Sequence, residues 1–409
     1  MGTLRKLAIP TSAAIFSLIV QTTLGDNWPQ WLGPKQDGIS RETGLLTEWP
    51  EKGPAELWRV SLGNGFSAVS VVGDRAFTLF GSNEGEFAVA VNVADGKTVW
   101  KTRLSDLLKN DTYGDGPRAT PAVDSGRVYV LSGKGALRCL DAADGNPVWG
   151  CDLLKKFGGE PPEFGFAASP VVMGDMLVVV TGARKGKSLV AFNKANGNVV
   201  WTALDDKIGC STPREVAVNG VRQIIVLMGE AVVSVSPKDG TEYWRQAWKT
   251  ELNANVATPV ISGDRLFIST GYSTGCALFE LSVNDGKPAA KKVWANKEMK
   301  NYISTSVLVD GYLYGFNNNK LTCLDFRTGK AAKWSIGGFN RGSLIAADGK
   351  LIIYGDEGIL ALAEISPKSY KELAKLKFCD ERTWTVPTLS GGRLFLRNEK
   401  ELACLQVGK

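Results

Sequence analysis

Short apolar runs alternate with turn residues along most of the chain, and one spacing recurs eight times. Each recurrence starts at a pair in which glycine stands beside Asp, Asn, Ser or another glycine, as in Gly73-Asp74, Asn219-Gly220 and Gly391-Gly392. Such pairs supply the positive φ that tight hairpins require. β-Branched and aromatic residues dominate the flanking runs, which is typical of strands. The pattern therefore predicts a repeated unit of strands and hairpins without a sustained helical period.

Two more strands are predicted in each unit after the first turn. The second strands are predicted at Ala76–Phe80, Val128–Leu131, Leu177–Val180, Gln223–Leu227, Leu266–Ser269, Tyr312–Tyr314, Leu351–Tyr354 and Leu394–Leu396. The third strands are clearest at Leu137–Asp141, Leu189–Asn193, Leu278–Ser282, Leu321–Asp325 and Leu402–Gln406.

A second glycine turn and a tryptophan close most units. The tryptophans that recur in this way are Trp58, Trp100, Trp149, Trp201, Trp244, Trp294 and Trp334. A large ring with one N–H donor suits a repeated contact, so we expect these side chains to pack between neighbouring sheets over the Asp-Gly turn. The seventh unit, at Ser366–Phe378, has neither the turn nor the tryptophan.

The two ends of the repeat region complement each other. The eighth unit stops after its third strand at Gln406, whereas Leu57–Val60 carries a tryptophan but has no three strands before it. Pairing these two segments completes an eighth four-stranded sheet. Eight such sheets arranged radially predict an all-β fold, a single eight-bladed β-propeller of antiparallel blades closed by the N-terminal strand. We assign residues 57–409 to the propeller and residues 26–56 to an extended lead-in.

The start of the chain resembles a secretory signal. Arg5 and Lys6 precede an apolar stretch that ends at Val20, and Thr23-Leu24-Gly25 then offers small residues for cleavage. We therefore predict a cleaved signal peptide at residues 1–25 and a periplasmic or exported protein, with an uncleaved anchor as the weaker alternative. No cysteine that could carry a lipoprotein anchor lies near the cut, and no other segment is predicted to cross a membrane.

Composition narrows the possible chemistry. The 409 residues contain no histidine, which excludes Ser-His-Asp and Cys-His nucleophiles and histidine-ligated metal sites. The seven cysteines form no Cys-x-x-Cys pair, and Cys139, Cys323 and Cys404 occupy one position in three repeats, as buried small residues do. A formal net charge of +6 is too small to predict a nucleic-acid partner.

The repeat resembles a known superfamily. The segment Leu140–Trp149, with its Asp-Gly turn and tryptophan, is similar to the tryptophan-docking repeat of the PQQ-like (quinoprotein) propellers. That superfamily includes quinone-dependent alcohol dehydrogenases and the outer-membrane-assembly scaffold BamB. Trp28–Pro34, Gly114–Arg118 and Gly271–Gly275 resemble a group of exported PQQ-like repeat proteins common in planctomycete-type bacteria. Histidines often occupy the segments of that group that correspond to residues 301–304 and 384–387, and this chain has none there.

Function in a propeller usually lies at the mouth of its channel, where the inter-blade loops and the starts of the innermost strands converge. The candidate ligand-binding residues there are Phe66, Asp115, Arg118, Glu163, Phe166, Asn255, Tyr302, Arg341 and Trp384. The resemblance implies weak Ca²⁺ candidates in Glu163 and Asn255, and a quinone contact in Arg341. The dehydrogenases also use an Asp base on the sixth blade, where this chain has Tyr302, Ser304 and Thr305.

These observations favour a non-catalytic binding protein or interaction scaffold of the cell envelope, BamB-like, with envelope proteins as partners. No catalytic residue, metal or cofactor is assigned in this interpretation. The alternative is an oxidoreductase that uses PQQ and Ca²⁺ at the mouth and acts on an alcohol or sugar. The aromatic residues Phe66, Phe166, Tyr302 and Trp384 also allow a small-molecule or sugar ligand. The fold by itself cannot distinguish these functions.

Overall fold

Eight four-stranded antiparallel sheets make up the protein, and the chain forms each sheet in sequence order except the last. A computed structural model describes Gly2 and residues 26–408. Apart from Gly2, the predicted signal peptide lies outside the described residues. The predicted eight-bladed β-propeller of four-stranded blades is confirmed, and we number the blades 1 to 8 in chain order.

Each blade contains four strands, which follow one another in order from the channel to the rim. The innermost strands are Ser70–Val72, Ala122–Asp124, Val171–Met173, Arg214–Val218, Val260–Ser262, Val307–Val309, Gly342–Ala347 and Thr388–Ser390. The second strands are Arg75–Ser82, Arg127–Leu131, Met176–Ala183, Val221–Leu227, Arg265–Thr270, Tyr312–Asn317, Lys350–Gly355 and Arg393–Arg397. The third strands are Gly85–Asn92, Ala136–Asp141, Lys187–Asn193, Ala231–Val235, Gly275–Asn284, Lys320–Asp325, Ile359–Glu364 and Glu401–Gln406. The fourth strands are Thr98–Ser105, Pro147–Asp152, Val199–Ala203, Glu242–Ala247, Lys287–Asn296, Ala331–Ile336, Glu372–Lys377 and, for blade 8, Ala55–Ser61.

The core lies between the faces of neighbouring blades. Second and third strands are covered on both faces, so residues such as Leu79, Val179 and Ile225 have no exposed surface. Fourth strands form the rim and alternate between buried and exposed positions; Val148 is 43% exposed and Val200 is 49% exposed. This burial gradient explains why the middle strands are continuous apolar runs and the outer strands are mixed.

The N-terminal strand closes the ring. Ala55–Ser61 pairs antiparallel with Glu401–Gln406, with Trp58 opposite Cys404 and Val60 opposite Leu402. In each of the eight blades, the third strand therefore has a fourth strand beside it, as the sequence predicts. Because the closing strand comes from the opposite end of the chain, the ring cannot close until both ends have been brought together.

Six of the seven recurrent tryptophans join one blade to the next. Their indole N–H groups donate over 2.9–3.2 Å to backbone carbonyls of the next blade, with the pairs Trp58–Val93, Trp100–Ala142, Trp149–Lys194, Trp201–Pro237, Trp294–Arg327 and Trp334–Ser366. Five of these rings also lie over a glycine, where a Cβ atom would come within 2.5–2.8 Å of the ring, at Gly96, Gly145, Gly197, Gly240 and Gly329.

Trp244 packs between blades 4 and 5, as predicted, but it does not lie over the glycine turn of the next blade, so that part of the prediction is wrong. Its N–H donates over 2.9 Å to the side chain of Gln223 in its own blade. A Cβ atom on Gly286, in the turn of the next blade, would have no neighbour within 4 Å. The outer hairpin of blade 5 is long, since Gly275–Asn284 and Lys287–Asn296 each contain ten residues. Its turn therefore lies beyond the ring of Trp244.

The lead-in crosses the face opposite the mouth, where the first hairpin of each blade lies. It exchanges backbone hydrogen bonds with strands of several blades, through Trp28–Val71, Val123–Pro29, Ser40–Ala346 and Leu46–Val407. The remaining elements are a short helix at Leu153–Phe157 and one 3₁₀ turn at Glu251–Asn253. Within the described part of the chain, no helix is long and apolar enough to span a membrane. Cys139, Cys323 and Cys404 are fully buried, as predicted.

Candidate functional site

A cavity of about 120 Å³ opens at the mouth of the propeller. Inter-blade loops and the first residues of the innermost strands form its wall. Its lining is mainly aromatic and contains one charged side chain, that of Arg118; the lining residues are Trp31, Phe66, Tyr113, Arg118, Phe164, Ala167, Ser169, Cys210, Thr212, Ala254, Val256, Tyr272, Tyr302, Ile303 and Trp384.

Three pairs of aromatic rings surround the cavity, each pair joining two different loops. The ring centroids are 5.4 Å apart for Phe66 and Trp384, 4.7 Å for Tyr113 and Phe164, and 4.8 Å for Tyr272 and Tyr302. Spacings of this kind are favourable for aromatic pairs. We call these six residues the aromatic collar.

Arginines lie over both rings of one collar pair and over one ring of a second pair. Arg118 lies 5.6 Å from the ring centroid of Phe66, and Arg382 lies 4.6 Å from that of Trp384. Arg341 stacks on Tyr302 at 3.9 Å. These are cation–π distances, so the guanidinium groups hold the collar rings in place and leave the site positively polarised.

Arg118 is fixed by the loop that carries it. Its guanidinium donates to the carbonyl of Gly116 over 2.6 Å and to that of Gly114 over 2.8 Å. Burial lowers the pKa of Arg118, and the carboxylates of Glu86, Asp115 and Glu399 oppose that effect. The guanidinium therefore keeps one position at the wall of the cavity.

Trp31 closes the cavity from the side of the lead-in. Its indole N–H donates over 2.9 Å to the hydroxyl of Thr258, on the channel wall of blade 5. The neighbouring Trp28 pairs with Val71, close to the hairpin end of an innermost strand. Because the mouth loops form the other end of the cavity, Trp31 makes the channel a blind pocket instead of an open pore.

Backbone strain occurs where the collar is built. Tyr272 and Ser273 both adopt left-handed backbone conformations, with φ of 51° and 58°. Such conformations are costly for residues other than glycine and are found most often at functional sites. Gly114 has φ of 85°, and a Cβ atom there would lie 2.8 Å from the ring of Phe66. Only glycine at this position lets the loop approach the collar.

A buried carboxylate supports the loop between blades 1 and 2. Glu86 has no exposed surface, and its two oxygens accept from the backbone N–H of Leu108 over 3.1 Å and of Gly133 over 2.6 Å. Burial raises the pKa of the Glu86 carboxyl, and the two backbone donors oppose that rise. This residue positions the segment that carries Tyr113 and Arg118.

Glu86 gives a stability prediction with a defined pH dependence. Because its pKa is raised in the folded protein, folding takes up protons at this group, and the free energy of unfolding falls as pH rises through the titration range of the carboxyl. Glu86→Gln removes that slope, whereas the same change at the exposed Glu84 leaves it. Glu86→Ala leaves two buried N–H groups without an acceptor and should cost about 2–4 kcal/mol. Urea unfolding between acidic and neutral pH measures both effects. Equal slopes for wild type and Glu86→Gln would contradict the predicted pH dependence, and an unchanged stability of Glu86→Ala would contradict the predicted cost.

A second buried carboxylate lies behind the collar, in the turn that follows the second strand of blade 7. Asp356 is 7% exposed and accepts from the side chain of Asn340 over 3.2 Å. Burial raises its pKa, while the indole of Trp384 and the charges of Arg341 and Arg382 oppose the rise. Within the described residues, the N–H of Trp384 has no acceptor in hydrogen-bonding geometry.

The structure brings together five of the nine candidate residues. Phe66, Arg118, Tyr302 and Trp384 line the cavity, and Arg341 stacks on Tyr302. These residues come from five different inter-blade loops, which converge because the innermost strands all start at the same end of the channel.

The other four candidates lie elsewhere. Phe166 is 1% exposed and packs under Gly135, where a Cβ atom would lie 2.6 Å from its ring. Asn255 is fully buried, and its amide donates to the carbonyls of Met228 and Gly229. Asp115 accepts from a backbone N–H of its own loop. The side chain of Glu163 is exposed on the loop between blades 2 and 3.

A Ca²⁺–quinone pair does not fit these donors. The oxygen of the Asn255 amide accepts from the hydroxyl of Thr270 over 2.9 Å, so both polar atoms of this side chain are already used. Glu163 does not line the cavity, and the lining contains no carboxylate. Ca²⁺ binds through several oxygen ligands at once, which these two side chains do not provide together.

Sequence reasoning missed several residues of the site. Trp31 and Tyr272 lie in motifs that the sequence singles out, but nothing local shows that they reach the channel. Tyr113 and Arg382 lie in loops without a repeat position to place them. Cys210 also lines the cavity, and burial raises the pKa of its thiol to about 11, so the thiol is neutral near pH 7.

The fold and the site define an eight-bladed β-propeller with a blind aromatic pocket at its mouth. A family model described as outer membrane protein assembly factor BamB matches residues 43–149 and 89–335, more than half of the chain. The chain belongs to this family. BamB of Moranella endobia (strain PCIT) is 25% identical over 238 residues, which cover 58% of this chain and 56% of the relative. The chain thus spans about half the length of this curated relative.

Solved structures with the same fold include proteins of two kinds. BamB from Moraxella catarrhalis has a TM-score of 0.58 at 12% identity and covers 86% of this chain and 97% of its own. Quinohemoprotein alcohol dehydrogenase from Comamonas testosteroni has a TM-score of 0.64 at 11% identity, with coverages of 94% and 81%. At these identities the likeness concerns the fold alone, and function must be argued from the site.

Proposed function

We propose that this chain is an exported, non-catalytic binding protein of the cell envelope that holds partner proteins at the mouth of the propeller. The family match supports a BamB-like scaffold. The single observation that carries the proposal is the aromatic collar around a blind pocket with no carboxylate in its lining. Such a pocket offers apolar contact area and no group to abstract a proton.

The collar has the properties of a protein-interaction anchor site. Aromatic and arginine side chains dominate the binding energy of most protein interfaces. The stacked arginines and the fixed Arg118 reduce the entropy lost when a partner orders the collar. Shape and chemistry therefore favour insertion of an apolar side chain from a partner over catalysis on a small substrate.

Site-specific photo-crosslinking in living cells tests this function. A photoreactive phenylalanine replaces Tyr113 in the collar or, as the control, Val200, which is 49% exposed on the rim. We expect one defined envelope protein to be crosslinked from the collar and not from the rim. The proposal fails if the collar position yields no protein adduct and if a deletion strain has an unaltered envelope.

The alternative function is a PQQ-dependent oxidoreductase. The observation that favours it is the fold shared with quinohemoprotein alcohol dehydrogenase, together with the aromatic mouth. The positions of Glu163 and Asn255 argue against it. If this alternative were correct, adding PQQ with Ca²⁺ would quench tryptophan fluorescence and support alcohol- or sugar-dependent dye reduction. We expect neither change.

A further inference from the structure

Positive charge is concentrated in one part of the ring. Residues 287–341 contain ten lysines and arginines and three acidic residues, although the whole chain has a formal net charge of only +6. Within the described residues, none of these ten cations forms a salt bridge. We call them the basic sector: Lys287, Lys291, Lys292, Lys297, Lys300, Lys320, Arg327, Lys330, Lys333 and Arg341.

The basic sector forms one continuous surface across blades 5 and 6. Trp294 donates to the carbonyl of Arg327 over 3.0 Å, so the outer strand of blade 5 adjoins the last turn of blade 6. On the mouth side, the N–H of Asn318 donates to the carbonyl of Lys300 over 3.1 Å. Eight of the ten side chains are exposed; Lys300 and Arg341 are half-buried. The surface therefore runs from the rim to the Tyr302–Arg341 pair of the collar.

Blades 4 and 7 pair outer cations with carboxylates. On blade 4, Arg245 pairs with Asp206 and Glu242 at 2.6 Å and 2.8 Å. On blade 7, Lys371 pairs with Glu364 and Lys375 with Glu372. Unpaired cations on blades 5 and 6 keep their charge available to an external partner.

Protection of an edge strand does not explain the sector. Lysines on exposed edges oppose aggregation, and each blade has such an edge. The fourth strands of blades 2 and 3, Pro147–Asp152 and Val199–Ala203, contain no lysine. The requirement common to all edges is thus met without lysine elsewhere, and the sector needs a reason specific to blades 5 and 6.

We propose that the basic sector is a docking surface for an acidic segment of a partner protein. This inference rests on the proposed function, because it names the chemistry of the protein that the scaffold binds. Charge complementarity steers such a segment toward blades 5 and 6 and fixes its orientation before an apolar side chain reaches the collar. Binding weakens with added salt, because the cations are exposed.

Two sets of four substitutions with the same change in charge test the inference. The first set is Lys291→Gln, Lys292→Gln, Lys330→Gln and Lys333→Gln in the basic sector. The matched set is Lys368→Gln, Lys371→Gln, Lys375→Gln and Lys377→Gln on blade 7. The probe is a fluorescein-labelled dodecapeptide of alternating glutamate and serine, with a glutamine–serine peptide as the neutral control. Fluorescence anisotropy at about 50 and 200 mM salt measures affinity and its salt dependence.

We expect the full-length protein to bind only the acidic peptide, and the first set to lower its affinity at least about tenfold, with less than about a twofold change for the blade 7 set. Equal losses in the two sets would show a response to net charge and overturn the inference. Binding to vesicles that contain phosphatidylglycerol, without binding to the peptide, would assign the sector to lipid and also overturn it. Either result leaves the photo-crosslinking at Tyr113 unaffected, so the two proposals fail separately.

Discussion

A chain that lacks residues 26–61 is expected to lose its closed fold and to self-associate. The deletion removes the fourth strand of blade 8 and leaves Glu401–Gln406 as an unpaired edge. It also removes the Trp58 ring, which bonds to Val93 and packs over Gly96 of blade 1. Loss of one buried tryptophan costs about 3–5 kcal/mol, and loss of the strand adds to it. The sum is a large fraction of the stability of an ordinary domain.

Returning the strand at the other end of the chain should rescue the fold. The closing strand is antiparallel to Glu401–Gln406, with Ala55 opposite Gln406, so residues 55–61 can follow Gln406 through a hairpin. The turn Asp141–Asn146 performs this connection in blade 2. A chain that starts at Leu62 and carries residues 55–61 at its C-terminus restores every strand pair. Deletion of residues 26–46 alone isolates the contribution of the lead-in.

Size-exclusion chromatography and thermal unfolding compare these chains. We expect oligomers or precipitate from the deletion of residues 26–61, and cooperative monomers from the permuted chain and from the deletion of residues 26–46. A monomeric, cooperatively unfolding protein without residues 26–61 would show that blade 8 does not need its fourth strand. Failure of the permuted chain together with the shorter deletion would instead assign the effect to the lead-in.

The repeat made most of the fold predictable from sequence. Glycine turns and apolar runs are recognisable from neighbouring residues in the sequence. Their spacing therefore predicts the eight blades and also the pairing of Leu57–Val60 with the last strand. Trp244 shows the limit of this reasoning. The register of blade 5 depends on two ten-residue strands, and no residue near Trp244 reports that its partner turn has moved.

The candidate site was predictable only in part, for a related reason. Phe66, Arg118 and Trp384 occupy equivalent places at the starts of innermost strands, so the repeat itself places them at the mouth. Trp31 reaches the cavity through the path of the lead-in, which no periodic signal describes. Asn255 occupies a mouth position in the repeat, but its amide is used to hold the backbone of the adjoining loops.

The glycine under a tryptophan ring should tolerate substitution far less than an equivalent glycine without one. Gly145 and Gly286 both have φ of 74° in the second turn of a blade. A Cβ atom on Gly145 would lie 2.6 Å from the ring of Trp100, whereas one on Gly286 would touch nothing within 4 Å. The two glycines therefore have the same backbone strain and differ in the inter-blade contact.

We expect Gly286→Ala to cost about 1 kcal/mol, which is the cost of placing alanine at positive φ. Gly145→Ala should cost about 3 kcal/mol or more, because the methyl group displaces the Trp100 ring and breaks its hydrogen bond to Ala142 as well. Urea unfolding of the two variants measures the difference directly. Trp100→Ala supplies the control, since Gly145→Ala should add only the backbone cost of about 1 kcal/mol once the ring is gone. Equal losses at Gly145 and Gly286 would mean that the indole contact does not hold the blades together, and that backbone geometry alone accounts for the glycine of each turn.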